Sequence, residues 1–233
     1  MRLDKLISHS TAFTRSQARR VIKKGEVTVD GIVITNPAQH IGEDAQLEYL
    51  GVAVKKPEPR YLMFNKPAGV VCANHDERHA TVFDSLFLPR LETLHIAGRL
   101  DIDTTGLVLI TDDGAWLHRI TSPKYKHQKT YLLDLDSAIT DKQINALENG
   151  IQLKGEKKRC QPASVFKISQ TRIRLSIYEG KYHQVKRMLA AVGNHVLQLH
   201  REKIANIQLD SSLKEGHWRE LTEMEIKGIS DKG

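Results

Sequence analysis

His95-Ile96-Ala97-Gly98-Arg99-Leu100-Asp101-Ile102-Asp103-Thr104-Thr105-Gly106-Leu107-Val108-Leu109-Ile110-Thr111 is the stretch on which the fold and the chemistry of this 233-residue chain turn. Its last third, Leu107-Val108-Leu109-Ile110, is a continuous apolar run of strand length, which predicts a buried strand. Its middle is polar and bounded by glycines. A polar loop feeding a buried strand is a place where reactive groups are held rigidly. Asp101 and Asp103 either carry such chemistry or cap turns with their side chains, and the residues alone leave both readings open.

Around this stretch the chain reads as alternating strands and helices without a strict β-α-β rhythm. Strands are expected over 61–64, 69–72, 107–111, 131–135, 163–168 and 172–178, and helices over 113–120, 140–148 and 181–192. That pattern predicts an α+β domain with a mainly antiparallel mixed sheet flanked by helices. Asn65-Lys66-Pro67-Ala68-Gly69 turns the chain between the first two strands, and by itself it reads as a plain connection. In Glu179-Gly180-Lys181-Tyr182-His183-Gln184-Val185-Lys186-Arg187-Met188 a strand ends and a helix begins. Two adjacent cations, Lys186 and Arg187, sit near that helix start against the helix dipole, so an anion is needed nearby.

The N-terminal quarter has a different character. Leu3, Leu6 and Ile7 follow helical spacing. Thr14 with Gln17 three residues later forms a capping-box pattern at the start of a second helix. Arg15, Arg19 and Lys23 recur at i, i+4, i+8 on that helix, with Arg20 and Lys24 beside them. Acidic residues are nearly absent from this stripe, which favours phosphate contact over an ordinary solvated face. Gly25 ends the helix. Asp30-Gly31 between two β-branched runs predicts a hairpin. Lys55-Lys56-Pro57-Glu58-Pro59-Arg60 reads as a linker. The expected division is residues 1–56 as an RNA-binding module, 57–60 as linker and 61–233 as a second domain.

Composition narrows the function classes. The formal net charge is +7, which suits a polyanionic partner. No apolar run approaches the ~20 residues of a membrane span, and the N-terminus lacks a signal-peptide core, so a cytoplasmic protein is expected. Cys72 and Cys160 belong to no Cys-x-x-Cys pair and read as free thiols. His75 and His79 have metal-ligand spacing, but their polar surroundings favour exposed histidines. No metal is expected from these Cys and His patterns, and the residues show no glycine-rich phosphate loop or dinucleotide fingerprint that would call for a cofactor.

Taken together, these segments resemble the pseudouridine synthases, in the branch that carries an N-terminal S4-type RNA-binding module. The S4 likeness rests on Arg2-Leu3-Asp4-Lys5-Leu6, Ser16-Gln17-Ala18-Arg19-Arg20 and Gly25-Glu26-Val27-Thr28-Val29-Asp30-Gly31. The catalytic likeness rests on Gly98-Arg99-Leu100-Asp101, Lys129-Thr130-Tyr131 and the Glu179–Met188 segment. The resemblance implies that Asp101 is the catalytic carboxylate, that Tyr131 stacks on the target base, and that Lys186 pairs with Asp101, with Arg187 as the fallback. It implies that Arg99 contacts the RNA or fills the place of a flipped nucleotide, and that the basic residues Arg15, Arg19, Arg20, Lys23, Lys24 and Arg187 bind RNA. The implied substrate is a uridine of 16S ribosomal RNA, the one called position 516, with a monomeric enzyme acting alone or on a protein-containing assembly intermediate. The same chemistry on 23S rRNA, or a non-catalytic assembly factor, are the competing readings. The presence of Asp101, Tyr131 and Lys186 together argues against the latter.

Overall fold

The computed structural model describes residues 1–42, 44–55 and 58–230. The chain divides into two compact units, Met1–Glu58 and Pro59–Gly233. Lys56 and Pro57, at the expected linker, lie outside the described residues.

In the first unit, helices α1 (Leu3–Ser10) and α2 (Arg15–Lys23) pack on strands β1 (Val27–Val29), β2 (Ile32–Val33), β3 (Leu47–Tyr49) and β4 (Val52–Ala53), which form an antiparallel sheet in the order β2-β1-β3-β4. The capping box at α2 is present: Gln17 N–H donates to Thr14 Oγ1 at 3.3 Å, and Thr14 N–H donates to Gln17 Oε1 at 2.8 Å. The hairpin turn forms at Asp30-Gly31, both with positive φ, as a two-residue β-turn of the primed type requires. Leu3, Leu6, Ile7, Ala18, Ile22, Val27 and Leu47 make the core.

The basic stripe of α2 corrects one expectation. An acidic partner is present after all, and it comes from α1. The Asp4 side chain is fully buried. It accepts from Arg19 Nε at 2.9 Å, Arg2 Nη2 at 3.0 Å and Arg15 Nη2 at 3.3 Å. Sequence spacing missed this because Asp4 lies eleven and fifteen residues away, on the other helix. Burial alone pushes the Asp4 carboxyl up, but the arginines pull it well below the usual carboxylate range. Two of the stripe's cations are therefore held in fixed poses, about half exposed. Arg20 and Lys23 are exposed without a side-chain partner among the described residues, and Lys24 lies 3.6 Å from Glu26. Asp4→Asn is expected to destabilise this unit by about 1–3 kcal/mol, because three cations lose a buried charge. A lowered unfolding midpoint by circular dichroism checks this. The folded Asp4 pKa is depressed, so its contribution is full above about pH 4 and is lost as pH falls.

The second unit is built on one nine-stranded sheet. Its strands are β5 (Tyr61–Lys66), β6 (His95–Ala97), β7 (Thr105–Thr111), β8 (Lys129–Leu135), β9 (Ser164–Lys167), β10 (Arg172–Ile177), β11 (Val196–Ile204), β12 (Ile207–Gln208) and β13 (Trp218–Glu220). Its α-helices are α3 (Gly114–Thr121), α4 (Asp141–Glu148), α5 (Gln184–Ala191) and α6 (Glu223–Ser230). The main path runs β13-β5-β7-β11-β8-β10-β9, with β6 beside β7 and β12 beside β11. Every pairing is antiparallel except β7 with β11. The fold is α+β with a mainly antiparallel mixed sheet, as expected.

Successive β7 residues point to opposite faces, and both faces are buried. Val108 and Ile110 join the core that includes Phe64, Leu133, Leu175 and Met188, while Leu107 and Leu109 join the one that includes Trp116, Ile120 and Ile229. Helices cover the sheet on both sides, so the apolar run of β7 is continuous rather than alternating.

Two expected elements differ. Residues 69–72 form no strand; Val71 makes a single bridge to Thr81. The expected helix from 181 starts at Gln184, with His183 as its N-cap in the left-handed region. Strands β6 and β11 to β13 and helix α6 were not anticipated.

Candidate active site

One cavity of about 950 Å³ opens in the second unit, and the three segments quoted above converge on it. It is lined by residues 98–104, by Lys129 and Tyr131 of β8, by residues 177–186 and by Arg201 of β11. Its volume admits a nucleotide.

Asp101 lies in the loop between β6 and β7 and is half-buried. Lys186 Nζ is 3.4 Å from Asp101 Oδ2, and His183 Nε2 is 3.4 Å from Asp101 Oδ1. Lys186 also donates to Asp103 Oδ1 at 2.5 Å. This contact holds the Asp103 carboxyl below its usual range, the Lys186 hydrogen bond being the largest cause. Asp103 is therefore more than a turn cap: it shares the Lys186 ammonium with Asp101 and is the nearer of the two. The anion that a cation at the α5 start requires is supplied by this pair of carboxylates.

Arg187 does not reach Asp101. It donates to Glu156 Oε1 at 3.1 Å, to the Lys154 carbonyl at 2.6 Å and to the Tyr182 carbonyl at 2.9 Å. Consecutive residues of a helix point about 100° apart, so only one of the two cations can face the aspartates. The fallback assignment of Arg187 as the partner of Asp101 is corrected: its guanidinium is engaged with Glu156 and two backbone carbonyls. Arg99 is exposed on the cavity edge, with no side-chain partner among the described residues.

The Asp101 loop is held from three sides. From β5, the fully buried Lys66 ammonium donates to the carbonyls of Pro67 at 2.9 Å, Ile102 at 3.2 Å and Thr104 at 2.8 Å. Burial lowers the Lys66 pKa. Gly69 N–H donates to Ile102 O at 2.8 Å, and Leu100 N–H donates to Cys72 Sγ at 3.3 Å. The Asn65–Gly69 segment, read from sequence as a plain connection, is the clamp that fixes this loop. From β11, the buried Arg201 guanidinium staples the two ends of the loop, donating to Gly98 O at 2.7 Å and Leu107 O at 2.8 Å. Thr105 Oγ1 meets His200 Nδ1 at 2.8 Å.

Tyr131 is buried and borders the cavity, with the Arg201 guanidinium 6.0 Å from its ring centre. This distance is at the outer limit of a cation–π contact. Tyr182, which also lines the cavity, stacks on His183 at 3.8 Å and is exposed. Arg201 and Lys66 escaped sequence reading because a buried charge within a strand mimics a surface residue.

The chain that carries this geometry, a carboxylate beside a shared ammonium with a buried tyrosine lining the same cavity, is similar to known proteins. The RNA pseudouridylate synthase model matches residues 60–191, and the S4 domain model matches residues 1–47. The chain belongs to the pseudouridine synthase family. It is 49% identical to the ribosomal small subunit pseudouridine synthase A of Escherichia coli (strain K12), covering 98% of this chain and all of that one. It is 47% identical to the protein of the same name from Vibrio cholerae, covering 98% and 99%. A crystal structure of a pseudouridylate synthase superimposes with a TM-score of 0.72 at 43% identity, covering 98% of this chain and 99% of the other. No helix of the described residues is long and apolar enough to cross a membrane.

Lys129 is a further cation lining the cavity. Burial first, and Arg201 second, push its pKa down to about 8. No acidic side chain pairs with it among the described residues. Below about pH 8 both the folded and unfolded chains carry its proton, and the full desolvation cost is present. Between about pH 8 and 10.5 the folded chain releases it first, so the cost fades. Lys129→Met is therefore expected to stabilise the protein by about 1–3 kcal/mol at pH 7, with a smaller gain at pH 9.5. Urea unfolding at the two pH values checks the difference.

Proposed function

We propose that this protein isomerises a uridine of small-subunit ribosomal RNA to pseudouridine, at the position called 516 in 16S rRNA. The observation that carries the reading is the Asp101 carboxylate, held beside Lys186 and facing the same cavity as Tyr131. The S4 unit and the small-subunit enzymes that the chain resembles over its whole length support the choice of RNA.

In this reading the target nucleotide leaves its stack and enters the cavity, because C1′ is inaccessible in stacked RNA. The C1′–N1 bond breaks, the uracil turns, C5 joins C1′, and the C5 proton is lost as N1 gains one. No atom or electron is gained overall. Asp101 acts at the sugar as nucleophile or as base. Lys186 places a positive charge beside it. Tyr131 stacks on the uracil, and Arg99 occupies the space left in the RNA. The basic face of α2 holds the phosphate backbone. The enzyme works as a cytoplasmic monomer, without cofactor.

Mapping pseudouridine in unmodified 16S and 23S transcripts, with and without ribosomal proteins, tests the proposal. A single new pseudouridine at the stated 16S position is expected. Modification of 23S rRNA alone, or of neither RNA in any form, overturns it.

A further inference from the structure

Between α4 and β9 the chain makes a loop with an uneven charge pattern, Leu153-Lys154-Gly155-Glu156-Lys157-Lys158-Arg159-Cys160. Its ends are tied down. Leu153 and Cys160 are buried, and Cys160 N–H donates to Ile151 O at 2.8 Å. Gln152 Nε2 donates across the loop to Glu156 O at 2.6 Å. Its single carboxylate, Glu156, faces inward and meets Arg187 at 3.1 Å and Lys181 at 3.5 Å. Two further bonds fasten the backbone to the same residues: Arg187 Nη2 to Lys154 O at 2.6 Å and Lys181 Nζ to Lys158 O at 3.0 Å.

The consequence is a fixed loop whose one negative charge is spent internally. Lys154, Lys157, Lys158 and Arg159 are all exposed, and none makes a side-chain ion pair or hydrogen bond among the described residues. Four like charges within six residues repel one another, and solvated loops ordinarily relieve this by mixing signs. The loop is also adjacent to the reaction site: Lys181, to which it is bonded, borders the Asp101 cavity. A rigid, unneutralised cationic rim beside a cavity that takes in a nucleotide matches the phosphates on either side of that nucleotide.

We propose that the loop Lys154–Arg159 is a second phosphate-binding surface, preformed by Glu156, that grips the rRNA strand at the mouth of the Asp101 cavity. The proposal rests on the rRNA-modifying reading above and adds to it a docking site separate from the S4 unit.

The test compares the full-length protein with the variant carrying K154Q, K157Q, K158Q and R159Q. Affinity for an unmodified 16S fragment is measured across a salt series, and the isomerisation rate at saturating RNA. All four side chains are exposed, so the thermal midpoint should be unchanged. Affinity at moderate salt is expected to fall about tenfold or more, and the slope of log Kd against log salt to drop by about 2–3, since each lost phosphate contact removes about 0.7–0.9 from it. The saturated rate is expected to stay within about twofold of the wild type. Glu156→Gln adds net positive charge but unties the loop, so it is expected to weaken binding about two- to fivefold, the cost of lost preorganisation.

An unchanged affinity and slope would assign the four cations to solvent and overturn the proposal. So would a slower saturated rate with an unchanged slope. A loss seen only with particles that contain ribosomal proteins, and not with naked RNA, would show a protein-binding surface instead. Tighter binding by Glu156→Gln would overturn the preformed geometry. Binding is scored apart from catalysis, so a wild-type protein that binds the fragment without isomerising it would sink the functional reading and leave this one standing.

Discussion

Asp101→Asn is expected to slow uridine isomerisation by at least about 10³-fold, with RNA affinity within about twofold of the wild type. Asparagine preserves the shape of the side chain and the loop that carries it. The backbone contacts of that loop come from Lys66, Gly69 and Arg201, none of which involves the Asp101 carboxylate. What is lost is the charge, and with it both nucleophilic and basic capacity at the sugar. Release of tritium from rRNA labelled at C5 of uridine reads the reaction directly. A rate near that of the wild type would remove Asp101 from the mechanism. Asp103→Asn is the informative control. Asp103 lies nearer to Lys186 than Asp101 does, so its loss should turn the ammonium toward Asp101 and change the rate far less, by about tenfold or below.

Gly106→Ala should destabilise the catalytic unit by about 3–5 kcal/mol and abolish measurable activity at moderate temperature. Gly106 has φ of +101°, which side-chain-bearing residues avoid. It also sits opposite Arg201 in the parallel pairing of β7 with β11. A methyl group there would collide with the Arg201 carbonyl oxygen and lie 2.8 Å from the Arg201 nitrogen. Both are backbone atoms of a central strand, so no side-chain rotation relieves the clash. Relief requires β11 to move away, which withdraws the Arg201 guanidinium from Gly98 O and Leu107 O and releases both ends of the Asp101 loop. The loss of activity should therefore exceed what the unfolded fraction explains. Gly114→Ala is the contrast: it opens α3, has ordinary φ and meets nothing within 4 Å, so it should be neutral or slightly stabilising. Equal unfolding midpoints for the two variants would refute the packing argument.

Much of the architecture was legible in the sequence where local pattern and burial agree. The β7 run, the Thr14–Gln17 capping box and the Asp30-Gly31 hairpin each carry their structure in adjacent residues. Strand β11 was illegible for a definite reason. Its pattern, Val196-Leu197-Gln198-Leu199-His200-Arg201-Glu202-Lys203-Ile204, looks like a polar surface segment, yet it lies at the centre of the sheet. Arg201 is buried there because carbonyls of two distant segments accept its hydrogen bonds. Lys66 was misread in the same way. The stretch 69–72 erred in the opposite direction: β-branched residues suggested a strand, but their hydrogen bonds go to the Asp101 loop and to residues 80–82 rather than into a ladder.

By itself, the sequence determined that a polar aspartate-bearing loop feeds a buried strand, that a basic helical module precedes the catalytic unit, and that Asp101, Tyr131 and Lys186 are the residues to question. The first two depend on residue type and near spacing, which a linear chain displays; the three residues came from the resemblance to the pseudouridine synthases. Only the tertiary structure decided that Lys186 is shared between Asp101 and Asp103, that Arg187 turns away to Glu156, and that Lys66 and Arg201 fix the loop. It also decided that Asp4 gathers the arginines of the S4 unit. Each of these is a charge satisfied across a long sequence separation, and the partner of a buried charge is set by where the backbone brings a carbonyl or carboxylate, which no local pattern encodes.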